Sequence, residues 1–346
     1  MDVFLILLLL VVIIGMKIAP KGTIFNDVGL DKDHTAALRG FLCVLIVLDH
    51  SSLLTGCGYS VVVLKRAGPY VVALFYALSA YGLMSSYVKS GFSLKGFWKK
   101  RLLGTILPYL LFSLFAVILR WFIKEPVSVK GILLSFVNGH PLVLYSWFIV
   151  TIIAFYVVFY LSALLAKKDT RLLTVLVGFF LFFFVFGMQK LDFEDFWFNA
   201  AWAFPLGLCW KLIYSRISGI FRKHPLIHLS LSGLIAAWWI AIAEYYFWFG
   251  YLARLCSTLA VCIFVLLLMF KLKIGNPVLR FWGKISLEIY LCHGLLVTLL
   301  SSFLSPTKYP YFFVAILLSG SILLAWLLSL LFGAIWNMVF KKRKHS

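Results

Sequence analysis

Long apolar runs, separated by short basic or turn-rich segments, are the feature that most limits what this chain can fold into. Several runs exceed about 18 residues, which is long enough for a helix to cross the hydrocarbon core of a bilayer. Because no water satisfies the backbone there, only helices and closed barrels can span a membrane. The runs are too long and too uniform for the alternating strands of a porin-like barrel. The sequence therefore predicts an all-α, polytopic integral membrane bundle of about eleven transmembrane helices. The predicted spans are residues 2–16, 39–56, 67–88, 102–123, 143–166, 172–188, 200–214, 229–248, 251–270, 285–304 and 311–338.

Composition supports this fold class and excludes others. Apolar types make up 63% of the 346 residues and charged types 13%, whereas soluble domains average about 45–50% and about 25%. A soluble enzyme and a disordered chain are therefore excluded. The net charge of +20 would suggest nucleic acid in a soluble protein, but basic residues collect in the cytoplasmic loops of membrane proteins, so no nucleic-acid partner is expected. The six cysteines lack metal-ligand spacing, and no metal site is predicted.

The distribution of basic residues predicts the orientation. About three quarters of the 32 Lys and Arg residues fall in loops on one side of the predicted spans, and that side should be cytoplasmic. The N-terminus is then outside, the C-terminus is inside, and the protein lies in the cell membrane. The first run follows Met1 and Asp2 without a basic segment, so we expect a retained anchor rather than a cleaved signal peptide. The predicted division is an anchor and linker at 1–38, a transmembrane domain at 39–340 and a basic tail at 341–346.

Ionisable residues inside the predicted spans are candidates for function, because an intramembrane charge costs at least about 2.5–3.5 kcal/mol. Arg39 and His50 are eleven residues apart, which on a helix puts them on one face, about 16 Å apart along the axis. Two interpretations remain open. Arg39 could hold a phosphate-bearing substrate while His50 accepts a proton. Alternatively, Arg39 is an interfacial arginine and His50 bonds a neighbouring helix.

Other charged residues flank this pair. Asp49 lies about 100° around the helix from His50, so we expect it to pair with another helix, with Arg254 as the candidate, rather than with His50. Arg120 is assigned to the membrane interface, and Glu244 to the outer part of its span.

A second polar stripe occurs late in the chain. Ser286 and His293 are seven residues apart and share a helix face, and Tyr290 lies near that face. Glu288 points about 140° away from His293. The stripe either lines the same cavity as His50 or forms polar contacts between helices, worth about 0.6 kcal/mol each.

Five segments, in chain order, carry motifs of one known family. They are Arg39 to His50 (R-x10-H), Leu74 to Leu83 (LFYALSAYGL), Phe97 to Pro108 (FWKKRLLGTILP), Ser146 to Phe148 (SWF) and Gly283 to His293 (GKISLEIYLCH). Together they resemble the membrane-bound acyltransferase family 3 over about residues 36–335. Two positions depart from the family pattern. Ala80 stands where Gly is usual, and Gly104 replaces the second Arg of a basic motif, which leaves only Arg101 there.

The resemblance implies acyl transfer, usually of acetyl, from a cytosolic acyl-CoA to a hydroxyl of a cell-surface or lipid-linked glycan. His50 would act as general base or as an acyl-histidine relay, with Arg39 as the second catalytic residue. Arg39, Lys100 and Arg101 would bind the donor phosphates, acetyl-CoA being a co-substrate and no cofactor being permanently bound. The lipid bilayer is the remaining expected partner. Further candidates for the substrate cavity are Asp49, Ser79, Tyr81, Trp147, Ser286, Glu288, Tyr290 and His293.

Two other functions compete with this one. A transporter or flippase for a glycolipid or small anion would also need a polar track and buried carboxylates. It would be favoured by inverted repeats, and none is evident in the sequence. A glycan polymerase would be expected to present large outer loops that carry Arg, whereas the longest predicted outer loop, at 124–142, carries Lys.

Overall fold

The computed structural model describes residues 1–20, 22–25, 29–137, 139–243 and 250–341. It is 77% helical, and the described residues contain one two-stranded antiparallel ladder, in which β1 (Lys17–Ile18) pairs with β2 (Leu272–Lys273). The expected position of Glu244 and nearly all of the expected basic tail lie outside the described residues. In chain order the helices are α1 (Asp2–Ile13), α2 (Lys32–Thr55), α3 (Val61–Leu64), α4 (Gly68–Lys89), α5 (Phe97–Arg101), α6 (Leu107–Phe122), α7 (Val129–Val137), α8 (Trp147–Ala166), α9 (Thr170–Lys190), α10 (Ala203–Lys223), α11 (Pro225–Ala243), α12 (Gly250–Leu268), α13 (Pro277–Lys284), α14 (Ser286–Ser301) and α15 (Pro310–Lys341).

The predicted α-helical membrane protein is confirmed in outline, although the count of eleven spans is not. Among the described residues, eight helices are long and apolar enough to cross a membrane. The pair α13 and α14, bent by 72°, raises the number to nine if it counts as one span. Of the other two predicted spans, α1 is a shorter apolar helix, and α10 carries Lys211, Arg216, Arg222 and Lys223. The eight helices are Lys32–Thr55, Gly68–Lys89, Phe97–Phe122, Trp147–Ala166, Thr170–Lys190, Pro225–Ile242, Gly250–Leu268 and Pro310–Ala334. Phe97–Phe122 counts as one helix because a π-helical segment, Leu102–Ile106, joins α5 to α6.

Helix α2 is largely buried among its neighbours and has clear signals at both ends. The Asp31 side chain accepts a hydrogen bond from the backbone N–H of Asp33 and so caps the first turn. Gly56, with φ of 61°, ends the helix in the left-handed conformation that glycine adopts without strain. Between these ends, residues 39 and 50 lie on one uninterrupted helix, which fixes their axial separation at about 16 Å.

Small residues allow α13 to approach α2 backbone to backbone. A Cβ on Gly40 would overlap the carbonyl oxygen of Leu279, and a Cβ on Gly283 would overlap that of Ala36. This reciprocal contact is the close approach that glycine permits between membrane helices. It places α13 and the start of α14 against the same helix that carries His50.

The segment before α8 is fixed against α14 in the same way. Gly294 lies so close to the carbonyl oxygen of Leu144 that a Cβ there would overlap it. The chain then turns at Tyr145, and Ser146 donates its hydroxyl hydrogen to the carbonyl of Val143 over 2.7 Å. This contact brings Tyr145 next to the polar residues of α2 and α14.

Candidate active site

Two histidines from distant parts of the chain meet inside the bundle. His50 of α2 and His293 of α14 are 243 positions apart, and their Nδ1 and Nε2 atoms respectively lie 2.8 Å apart. Both side chains are buried, with 8% and 0% of their surface exposed. The sequence identified both residues, and the fold brings them into direct hydrogen-bond contact.

The partners of His293 determine how the protons are arranged. The Nδ1 atom of His293 bonds the carbonyl oxygen of Tyr290, and a carbonyl can only accept, so Nδ1 carries the hydrogen. In the neutral ring, Nε2 of His293 is then an acceptor, and the shared hydrogen belongs to Nδ1 of His50. The Nε2 atom of His50 is therefore left unprotonated. Assigned from these hydrogen-bond partners, the arrangement gives His50 a nitrogen that can take a proton.

Tyr145 also holds the His50 ring in place. The two rings stack with centroids 3.8 Å apart and an interplanar angle of 14°. The Tyr145 carbonyl accepts a hydrogen bond from the Tyr290 hydroxyl. The backbone of Tyr145 has φ of 66°. This left-handed conformation costs a non-glycine residue about 1–3 kcal/mol and is common at functional sites. Sequence reasoning missed Tyr145, although it directly precedes the Ser146 to Phe148 motif.

Asp49 bonds another helix, as the helical wheel predicts, although through a backbone group instead of the expected Arg254. One carboxylate oxygen lies 3.9 Å from Nε2 of His50. The other oxygen accepts a hydrogen bond from the backbone N–H of Gly68 over 2.9 Å. The expected pairing with Arg254 is wrong, since Arg254 forms its ion pair with Asp195.

A cavity of about 480 Å³ opens beside His50. Its volume is typical of a small-molecule site. Its walls come from α2, α4, α6, α8, α14 and the segments before α4, α8 and α10. Of the expected cavity residues, it is lined by Asp49, His50, Trp147 and Tyr290. It is also lined by residues that the sequence did not select, among them Lys65, Arg120, His140, Tyr145 and Glu194.

The expected donor-binding residues do not line this cavity: Arg39 lies in the first half of α2, and Lys100 and Arg101 lie on α5. Arg39 is exposed and lies near enough to Tyr156 for an electrostatic interaction. The Arg101 guanidinium sits over the Tyr156 ring, 4.9 Å from its centroid. Lys100, which directly precedes Arg101 in the chain, is exposed. Arg39 does not line the cavity beside His50.

The remaining cavity candidates lie elsewhere. The Ser79 hydroxyl lies 3.3 Å from the hydroxyl of Tyr156, the residue on which Arg101 stacks. The Tyr81 hydroxyl accepts the backbone N–H of Leu30 over 2.9 Å. Ser286 bonds the Gly283 carbonyl over 3.2 Å, within its own chain segment. Glu288 is half-buried on α14 and does not line the cavity.

Metal chemistry has no evident site in the part of the chain that the structure describes. No group of three or more His, Cys, Asp or Glu residues there could hold a metal ion. The two histidines bond each other and a carbonyl instead of converging on a common point.

Comparison with known proteins gives one match. A family model described as an acyltransferase domain matches residues 30–330, which is most of the chain. No curated protein and no solved structure matches the sequence. The matched range contains both histidines, the residues that line the cavity, Arg39 and Arg101.

Proposed function

Because the chain belongs to acyltransferase family 3, we propose that it is a membrane O-acyltransferase that moves an acyl group, in particular acetyl, from acyl-CoA to a carbohydrate hydroxyl. The donor is cytosolic, and the acceptor is a cell-surface or lipid-linked glycan. The observation that carries the proposal is the geometry of His50, whose ring is held by His293 and Tyr145 at the wall of a cavity.

In the proposed reaction, Nε2 of His50 is the general base. It takes the proton of the acceptor hydroxyl while the hydroxyl oxygen attacks the thioester carbonyl. The carbon–sulfur bond then breaks, and the leaving CoA thiolate receives the proton from His50. General-base catalysis of this kind is worth roughly 10²–10⁴-fold in rate.

The neighbours of His50 support this role. A protonated ring would carry positive charge next to the Asp49 carboxylate, which lies 3.9 Å from Nε2. The bond to His293 keeps Nδ1 protonated throughout, so only Nε2 exchanges a proton. An acyl-histidine relay, in which Nε2 itself attacks the thioester, uses the same nitrogen and the same cavity.

The inner arginines are the proposed donor site. Arg39 and Arg101 both approach Tyr156, and Lys100 is exposed beside them. Guanidinium groups bind phosphate through paired hydrogen bonds, which suits the phosphates of acetyl-CoA. The pantetheine arm would extend along α2 over the distance of about 16 Å to His50. The donor is a co-substrate, and the proposal requires no resident cofactor.

The proposed orientation in the cell membrane follows from the basic loops. Eleven crossings result if α1, α10 and the bent pair α13 and α14 each cross once beside the eight long helices. An odd number of crossings puts the two termini on opposite sides, and the side richer in Lys and Arg, which includes the C-terminus, is then the cytoplasmic one. Arg39 then lies at the cytoplasmic mouth, and the cavity beside His50 opens towards the outer loops.

The test is acetyl-CoA-dependent transfer by the purified, full-length protein. Wild-type protein should release CoA in the presence of a cell-envelope glycan extract and acetylate glycan hydroxyls. His50→Ala should abolish release, and Arg39→Ala should raise the KM for acetyl-CoA. His224→Ala, which changes an exposed histidine at the end of α10, is the matched control and should behave as wild type.

The outcomes separate an enzyme from a transporter. Normal product from stably expressed His50→Ala protein would remove His50 from the chemistry. Absence of donor binding at millimolar acetyl-CoA, combined with movement of a glycolipid across vesicles by the wild type, would identify a flippase instead.

A further inference from the structure

Two cationic side chains, Lys65 and Arg120, line the cavity beside His50. Lys65 follows α3 and Arg120 lies in the last turn of α6, so distant segments bring them to one cavity. Neither forms an ion pair with a residue that the structure describes. Glu194 also lines the cavity, but it is exposed to solvent and makes no ion pair with either cation.

Arg120 is not an ordinary interfacial arginine. Its Nε atom is buried, and among the described residues it has no hydrogen-bond partner. Leaving a buried donor unsatisfied costs free energy, more so for a charged group. A guanidinium stays protonated under all physiological conditions, so this cost is relieved by an acceptor rather than by loss of the proton. Arg120 also lines the cavity, so an anion bound there lies beside a cationic side chain that no described residue neutralises.

We propose that Lys65 and Arg120 form an anion site that holds a carboxylate or phosphate group of the acceptor, while His50 acts on a hydroxyl of the same molecule. This inference rests on the proposed function and adds the acceptor's chemical class, which is an acidic or phosphorylated carbohydrate. Arginine binds both groups through its planar fork, and lysine adds a compact positive charge.

The size and lining of the cavity agree with such an acceptor. Its volume of about 480 Å³ can hold a sugar ring together with its charged substituent. Trp147 contributes an aromatic surface to the same cavity. Asp49 also lines the cavity, but one of its oxygens accepts the backbone N–H of Gly68, and it forms no ion pair with Lys65 or Arg120 among the described residues.

Anion binding by the full-length protein in nanodiscs tests the inference. Isothermal titration calorimetry would use inorganic pyrophosphate, D-glucuronate and neutral D-glucose as probes, with CoA at saturation to occupy the inner arginines. Wild-type protein should bind at least one anion saturably and glucose far more weakly. Arg120→Gln and Lys65→Gln should each weaken anion binding by about tenfold or more.

Three further variants serve as comparisons. Lys130→Gln removes an exposed lysine of the same predicted outer side, outside the cavity, and should bind anions as wild type does. His50→Ala should retain anion binding, since the anion site does not require the base. Arg120→Lys, which preserves the charge but removes the fork, should fall between wild type and Arg120→Gln.

The results show which anionic group is bound, and they separate failure of the anion site from failure of the proposed acyltransferase function. Preference for pyrophosphate indicates a phosphate group, and preference for glucuronate indicates a uronic acid. Equal binding of glucose, no anion binding, or wild-type affinity in Lys65→Gln would overturn the anion site. Lys65 is exposed, so that variant should fold even if Arg120→Gln does not. Anion binding without any acyl transfer would contradict the proposed function and leave the anion site standing.

Discussion

At the scale of single residues, the feature that decides the chemistry is the direction of one hydrogen bond. The Tyr290 carbonyl accepts from His293, and His293 in turn accepts from His50, so each ring has one permitted neutral tautomer. A solvent-exposed histidine would exchange between tautomers. This chain of bonds removes that freedom and leaves Nε2 of His50 as the basic nitrogen. His293 is thus a positioning residue in the proposed reaction, acting through His50.

The positioning role predicts a specific kinetic result for His293 variants. His293→Ala should lower kcat by roughly 10²–10⁴-fold, because His50 can then protonate on Nε2 instead of Nδ1. The KM for acetyl-CoA should be unchanged, since the inner arginines are remote. His293→Gln should recover part of the rate, because its amide oxygen can accept from Nδ1. A raised KM with an intact kcat would contradict the assignment.

At the scale of secondary-structure elements, the site depends on three helices that approach one another closely. Gly40 and Gly283 join α2 to α13, and Gly294 joins α14 to the segment that ends at Tyr145. None of these glycines touches His50. Each nevertheless determines the distance between two elements that contribute to its surroundings.

Gly294→Ala is the substitution that tests this dependence. The added methyl group must displace Leu144, and Tyr145 moves with it, so the stack on His50 is lost. We expect acyl transfer to fall by at least about tenfold and the unfolding free energy to fall by about 1–3 kcal/mol. The measurements are transfer rate and thermal stability in detergent. Gly187→Ala on α9, where a Cβ meets no atom within 4 Å, is the control, and equal activity of both variants would refute the role of this contact.

The start of α2 is tied to β2 by an ion pair. Lys273 donates to the Asp31 carboxylate over 2.8 Å, and Asp31 also caps the helix. The Lys273 ammonium holds the pKa of the Asp31 carboxyl below its ordinary value of 3.8. The contact contributes its full stability above the ordinary pKa of Asp31 in the unfolded chain, and the contribution is lost as pH falls through the lowered pKa of the folded state.

This linkage predicts a pH-dependent effect of Lys273→Met. Above about pH 5 the variant should be less stable than wild type by at most about 1 kcal/mol, because both side chains are partly solvated. The difference should shrink below about pH 4 and vanish once Asp31 is protonated in both states. Melting temperatures in detergent across this range provide the comparison. A stability difference between wild type and Lys273→Met that grows as the pH falls would contradict the prediction.

At the scale of the whole molecule, the sequence predicts where the helices lie but not which of their residues contact one another. Each predicted apolar run has a helix in the structure, because hydrocarbon permits little else for such a segment. Arg39, His50 and His293 stand out as polar groups in apolar surroundings. Their pairing could not be predicted, since it depends on how α2 and α14 pack across 243 positions.

The residues that sequence reasoning missed have a common cause. Tyr145, Lys65 and Arg120 lie in loops or at helix ends, where aromatic and basic residues are ordinary. Only the fold shows that they converge on one cavity. The helical wheel correctly directs Asp49 to another helix, but its partner there, the backbone N–H of Gly68 and not Arg254, depends on how α2 packs against α4.

The most direct test of the account follows the acetyl group itself through a single turnover. Purified wild-type and His50→Ala proteins would receive acetyl-CoA labelled in the acetyl group together with a cell-envelope glycan extract. The label would then be counted on CoA, protein and glycan. The account predicts transfer to glycan by wild type, and donor binding with the label retained on CoA by His50→Ala. Delivery of label to glycan by His50→Ala at the wild-type rate would contradict it.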